Sequence, residues 1–253
     1  MQNPNAKVFF DRLRTLPSFD TDADVAGLIA RHGVGPELVQ AVVTEKIAPK
    51  EEACRFWADT MNVAYVDPFA STITEEAVEK IPAEVAKKAR IIGLYVIEGV
   101  LTAAMADPSD ADLIKRVGQI AQLTISPVFA LPREIEDAIA IQYCTEKNIE
   151  DSLNELGQSS LFDDLETASD KLANLAENNA LIQILDEIIY YGMRERATDL
   201  HIEALEVQCR IRFRVDGNLR EILTYSRKLH RALVSRIKIL CGLIKPTSGT
   251  AAV

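Results

Sequence analysis

Apolar residues follow two rhythms along this 253-residue chain. Up to about Asp67 they recur at helical spacing. His32-Gly33-Val34-Gly35-Pro36 interrupts that pattern as a turn, with Pro36 near the first position of a helix carrying Leu38, Val42 and Val43. Ile47-Ala48-Pro49 restarts a helix through Ala53, Phe56, Trp57 and Met61, whose aromatics are expected to face a neighbouring element. From Arg90 the rhythm shortens. Ile91 to Ile97 and Val100 to Ala106 read as strands around a Glu98-Gly99 turn, the second ended by Asp107-Pro108. Ser109 or Asp110 then caps a helix through Leu113, Ile114 and Val117. A strand from Leu123 to Ala130 and a helix from Ile135 to Tyr143 complete a compact α/β unit.

Between Glu146 and Asn178 apolar residues thin out, and residues 145–178 carry nine acids against two bases. The stretch reads as an acidic linker with at most a transient helix around Leu153 and Leu156. A helix follows from Asn179, with Leu181, Ile184, Leu185, Ile188 and Ile189 on one stripe and Glu195 and Arg196 near its end. The expected architecture is therefore α/β and α+β. Residues 1–144 form a first domain, helical over 1–67 and α/β over 68–144; 145–178 link it to an α+β domain of helix, three strands and helix over 179–243; 244–253 form a tail.

The second domain contains the most informative stretch. Val207, Cys209, Ile211, Phe213 and Val215 alternate with Gln208, Arg210, Arg212, Arg214 and Asp216, the pattern of a strand with one buried and one wet face. Arg210, Arg212 and Arg214 therefore share a face. Asp216-Gly217-Asn218 supplies the hairpin turn, and the chain resumes extended from Leu219 to Leu223. Upstream, Asp199, His201 and Glu203 alternate with Leu200, Ile202 and Ala204, so their acids can lie beside the arginines if the strands pair. Leu229, Leu233, Ile237 and Leu240 mark the buried stripe of a last helix that Gly242 helps to end.

Charge sharpens this picture. The net charge of −10 argues against wholesale nucleic-acid binding, yet residues 199–245 carry ten bases against five acids. Nearly half the residues are apolar, enough for real cores. Cys54, Cys144, Cys209 and Cys241 are scattered without a C-x-x-C pair, against a disulfide framework or zinc knot. No apolar run approaches the roughly 20 residues needed to span a bilayer, and the opening residues start no signal peptide. A cytoplasmic protein is expected.

Candidate chemistry is sparse. Alternate residues on one strand sit about 6.5–7 Å apart, too far for Asp199, His201 and Glu203 to share a metal without another strand. The histidines at 32, 201 and 230 assemble no nucleophilic triad, and Asp107 before proline is ordinary turn chemistry. No segment matches G-x-x-x-x-G-K-[ST]. Neither catalytic residues nor a metal site are expected in this chain.

Three runs in one order carry a resemblance: Ala197 to Ala204, Arg210 to Gly217, and Ser226 to Lys238. They resemble A-S-D-(I/L)-H-I-E-P, R-(I/V)-R-(F/Y)-R-(V/I)-D-G and the S-R-K-L…S-R-I-K helix of the traffic ATPases that power type II secretion and type IV pilus assembly. GVLTAAMADPSD, residues 99–110, is similar to a run in the N-terminal domains of the same family.

The resemblance implies the N-terminal, non-catalytic portion of such an ATPase, the RecA-like motor lobe being absent from this sequence. It implies a docking domain that tethers the enzyme to an inner-membrane platform protein, placing it peripherally at that membrane. It further implies a domain that packs on its own or a neighbouring subunit's motor lobe in a homo-hexamer. ATP and magnesium are expected for the full-length family and no cofactor for this chain alone. Arg210, Arg212, Arg214 and Arg236 would contact nucleotide in a neighbouring subunit, with Asp199, His201, Glu203, Asp216 and Gly217 as structural signature. One family branch binds cyclic di-GMP through R-L-G-x-x-L-V-x-x-G. Here Glu37, Val39 and Lys46 replace the arginine and both glycines, so the helical scaffold is expected without those contacts. A cyclic di-GMP sensor and a stand-alone adaptor of a secretion system are the alternative readings.

Overall fold

A computed structural model describes residues 4–19, 24–159 and 178–243. It divides into two compact units, Met1–Ile139 and Ala140–Val253.

The first unit opens with four helices, α1 (Pro4–Leu13), α2 (Val25–His32), α3 (Pro36–Thr44) and α4 (Lys50–Thr60). Local chemistry sets their ends. Asp24 caps α2 by accepting from the Gly27 N–H at 2.9 Å, and Pro36 opens α3, where its missing N–H leaves no helical bond unmade. Phe9, Leu13, Leu28, Leu38, Val42, Cys54 and Trp57 share one core, with Phe9 and Trp57 packed edge to face. Trp57 is therefore core, and Phe56 lies partly buried at its margin.

Short helices α5 (Glu75–Glu79) and α6 (Ala83–Ala89) lead to β1 (Ile91–Ile97) and β2 (Val100–Met105). These strands form an antiparallel hairpin whose two-residue turn has positive φ at both Glu98 and Gly99, the type I′ signature. Helix α7 (Ala111–Ala121), capped by Asp110 at 2.8 Å from the Leu113 N–H, crosses over to β3 (Thr124–Phe129), which pairs parallel with β2. Tyr65 bridges the outer edge of β3 at Phe129. The helical and α/β parts thus belong to one unit. Helix α8 (Pro132–Gln142) contains the boundary between the units.

In the second unit, α9 (Glu146–Gln158) and α10 (Asn179–Arg194) precede β4 (Asp199–Ala204), β5 (Gln208–Val215) and β6 (Asn218–Ser226), and α11 (Arg227–Leu240) follows. The sheet order is β4-β5-β6, antiparallel throughout. Cys209, Ile211, Phe213 and Val215 face a core built with Ile184, Leu185 and Ile188 of α10 and with Leu229 and Leu233 of α11.

Three sequence expectations change here. The first part of the segment read as a linker is the ordered helix α9, whose Ile149, Leu153 and Leu156 enter this core; residues 160–177 lie outside the described residues, as does the tail from 244. Val207 does not extend β5; it stands in the turn between β4 and β5 and is 87% exposed. Ile189 lies at the open margin of the α10 stripe, because that stripe is narrower than five apolar residues suggested.

Candidate functional site

The candidate site is the polar face of the second sheet. Cross-strand register sets Asp199 opposite Arg214, His201 opposite Arg212 and Glu203 opposite Arg210. The other neighbour, β6, brings Glu221 opposite Arg212 across a bulge between Ile211 and Arg212. Alternation thus gathers three guanidinia, two acids from the edge strand β4 and one from β6. The three arginine side chains are partly exposed, from 26% at Arg212 to 39% at Arg214.

Pairing on this face follows the register at Arg210 and Arg214 but not at Arg212. Glu203 accepts from Arg210 Nε at 2.7 Å through one oxygen and from Arg212 through the other, its diagonal neighbour. Arg210 also meets Glu221 at 3.4 Å, and Arg214 meets Asp199 at 3.2 Å. His201, directly across from Arg212, forms no bond to it and keeps its Nε2 buried without a partner. Arg212 likewise has its Nε buried without a hydrogen-bond partner. The Arg212 and Arg210 guanidinia hold the Glu203 carboxyl below the usual carboxylate range, and Glu203 in turn raises Arg210. Glu203 is therefore an ionised group clasped by two cations.

The turn beyond β5 keeps the face in shape. Asp216 and Gly217 both have positive φ, and Arg214 donates to the Gly217 carbonyl at 3.1 Å. On the opposite side of the face, Arg227 donates at 2.8 Å to the carbonyls of Leu205 and Glu206, bracing the β4–β5 turn. Sequence reasoning missed that brace because its acceptors are backbone oxygens and leave no residue-type signal.

Arg236 lies elsewhere. It is on α11, within the helical layer that covers the apolar face of the sheet, and its electrostatic neighbour is Asp186 of α10. The structure brings Arg210, Arg212, Arg214, Asp199, His201 and Glu203 together and leaves Arg236 out.

A second ionic cluster, in the first unit, was also missed. Lys50 at the start of α4 meets Asp67 at 2.8 Å and also pairs with Glu134 of α8, beside buried Cys54 and half-buried Tyr65. Burial pushes Cys54 up to about 12, so the thiol is inert. Residues so far apart in sequence carry no local signal of meeting. Asp107 accepts from the Ser109 N–H at 3.0 Å, the expected turn chemistry. Among the described residues, no group of three or more His, Cys, Asp or Glu is placed to hold a metal, and no helix is long and apolar enough to cross a membrane.

Two family models match this chain. The one described as MshEN domain matches residues 61–149, and the one described as Type II/IV secretion system protein matches residues 174–243. The type IV pilus assembly ATPase PilB of Myxococcus xanthus is 29% identical over 174 residues, covering 68% of this chain and 31% of its own length. Type II secretion system protein E of Klebsiella pneumoniae is 39% identical over 90 residues, 36% of this chain and 18% of its own. Type II secretion system ATPase E of Vibrio cholerae is 30% identical over 143 residues, 49% of this chain and 28% of its own. The chain thus spans less than a third of the length of each of these relatives. With both its units matched in order, the chain belongs to the type II secretion and type IV pilus assembly ATPase family and corresponds to that family's N-terminal region.

Proposed function

We propose that this chain docks a secretion or pilus ATPase to its inner-membrane machinery from the cytoplasmic side through the first unit. In that reading the second unit presents Arg212 and Arg214, with Arg210 beside them, to the phosphates of ATP held by a motor lobe in a hexameric ring. The observation that carries it is the row of three guanidinia on one face of β5. A guanidinium fork matches phosphate oxygens and stabilises charge developing on a transferred phosphoryl group. The ATPase names of the relatives support a nucleotide as the anion.

The test is ATP turnover by the purified chain, alone and mixed with a separately expressed motor lobe of the family. Turnover is expected only on mixing. The Arg212→Ala, Arg214→Ala double variant is expected to lose about tenfold or more of it, a threshold well below the roughly thousandfold that a charge-stabilising arginine contributes. Turnover by the chain alone, or full stimulation by the double variant, refutes the reading. Docking is checked by calorimetric titration of the chain with the cytoplasmic part of the platform protein. Absence of binding removes that half.

A further inference from the structure

We propose that Glu203 is a built-in anion that occupies the Arg210–Arg212 pair at rest and is exchanged for a phosphate group when nucleotide arrives. The inference rests on the reading that these arginines meet phosphate and adds the residue that controls their availability.

Its basis is the mismatch between register and pairing. Arg212 faces His201, yet its ion partner is Glu203, one pair further along β4. Both carboxylate oxygens are engaged, one by each arginine, so Glu203 fills the place between two guanidinia that a phosphate oxygen pair would take. Release affects the two arginines unequally. Arg210 keeps Glu221, whereas among the described residues Arg212 has Glu203 as its one ion-pair partner. Losing Glu203 therefore frees Arg212 in particular, with a second cation close by to attract an anion.

Position makes the exchange cheap. Glu203 stands next to the end of β4, an edge strand that among the described residues pairs with β5 alone and is partly exposed along its length. A carboxylate there can rotate toward solvent without opening the core, which lies on the other face. The two arginines keep the carboxyl ionised through the neutral range, so its release proceeds by competition between anions. Partly exposed ion pairs of this sort are weak enough for a polyphosphate to displace.

The experiment measures binding of inorganic tripolyphosphate to the full chain by isothermal titration calorimetry. The wild type is compared with Glu203→Gln, Glu203→Asp and Glu206→Gln, the last removing the same charge from the neighbouring turn. Glu203→Gln is expected to tighten binding about tenfold, Glu206→Gln by no more than about twofold, and adding Arg212→Ala to Glu203→Gln to abolish the gain. Glu203→Asp is expected to fall between wild type and Gln and serves as the readout if the Gln variant fails to fold by circular dichroism. Equal tightening by Glu203→Gln and Glu206→Gln overturns the proposal as a general charge effect. No tightening by Glu203→Gln, with Arg212→Ala still weakening the wild type, overturns the gate and leaves the arginine reading standing. Indifference of binding to Arg212→Ala in both backgrounds overturns the arginine reading itself.

Discussion

At the scale of single residues, backbone conformation gives one substitution a cost. Lys46 stands where the cyclic di-GMP motif has its last glycine, just past the end of α3, and it adopts a left-handed φ of 57°. The Ile47 N–H returns to the Val42 carbonyl at 3.0 Å and the Lys46 N–H to the Val43 carbonyl at 3.1 Å, a helix-ending pair of bonds that calls for glycine. Relief of the left-handed penalty exceeds the extra chain entropy of glycine, so Lys46→Gly is expected to stabilise the first unit by about 1 kcal/mol, read in denaturant unfolding. A drop in stability would show that the lysine side chain contributes more than its backbone costs.

His230 supplies a residue-scale test of pH. Its Nδ1 lies 2.8 Å from the Tyr225 hydroxyl, and burial, with Arg227 nearby, holds its pKa below the ordinary 6.5. Below that value the unfolded chain takes up a proton that the folded chain resists. The contribution is thus fully present above pH 6.5 and lost as pH falls through the lower folded value. Stability of the second unit is expected to decline between pH 7 and pH 5, with a shallower slope in His230→Gln; parallel slopes would assign the decline to other groups.

Among elements, α9 illustrates how composition can mask periodicity. Ile149, Leu153 and Leu156 sit at helical spacing within a run rich in acids and amides, and Thr145 caps the helix through the Asn148 N–H. The narrow apolar stripe read as transient because nothing local says what would cover it. Leu153 is 1% exposed, so Leu153→Ala is expected to cost about 2–4 kcal/mol, while Asn154→Ala on the outer face stays within about 0.5 kcal/mol. Equal, small effects in urea unfolding would return α9 to a linker. A second element contact is equally sharp. A Cβ on Gly93 of β1 would stand 2.4 Å from the Ala77 carbonyl oxygen of α5. Since that neighbour is backbone, Gly93→Ala is expected to destabilise by about 1–3 kcal/mol in thermal unfolding.

For the whole molecule, the division falls inside α8, so α9 belongs with the sheet and helices that follow it. A fragment of residues 140–243 is therefore expected to unfold cooperatively. A fragment of residues 178–243 lacks Ile149, Leu153 and Leu156 and is expected to expose part of its core, bind a hydrophobic dye and lose its sharp transition. Cooperative unfolding of the shorter fragment would make α9 dispensable.

The sequence by itself determined which residues share a face and where elements turn. The alternation of Arg210, Arg212 and Arg214, the type I′ turns at Glu98-Gly99 and Asp216-Gly217, and the Asp110 cap all follow from periods and dihedral preferences spanning a few residues. The three family-like runs were legible for the same reason, being local strings. Only the tertiary structure decided who meets whom. It gave Arg212 to Glu203 rather than to the facing His201, set Arg236 near Asp186 in the helical layer, brought Lys50 to Asp67 and Glu134, and drew α9 into the second core. Those outcomes depend on strand register, a bulge and the packing of distant segments, where free energies of many weak contacts are compared at once and no short stretch of sequence holds the answer.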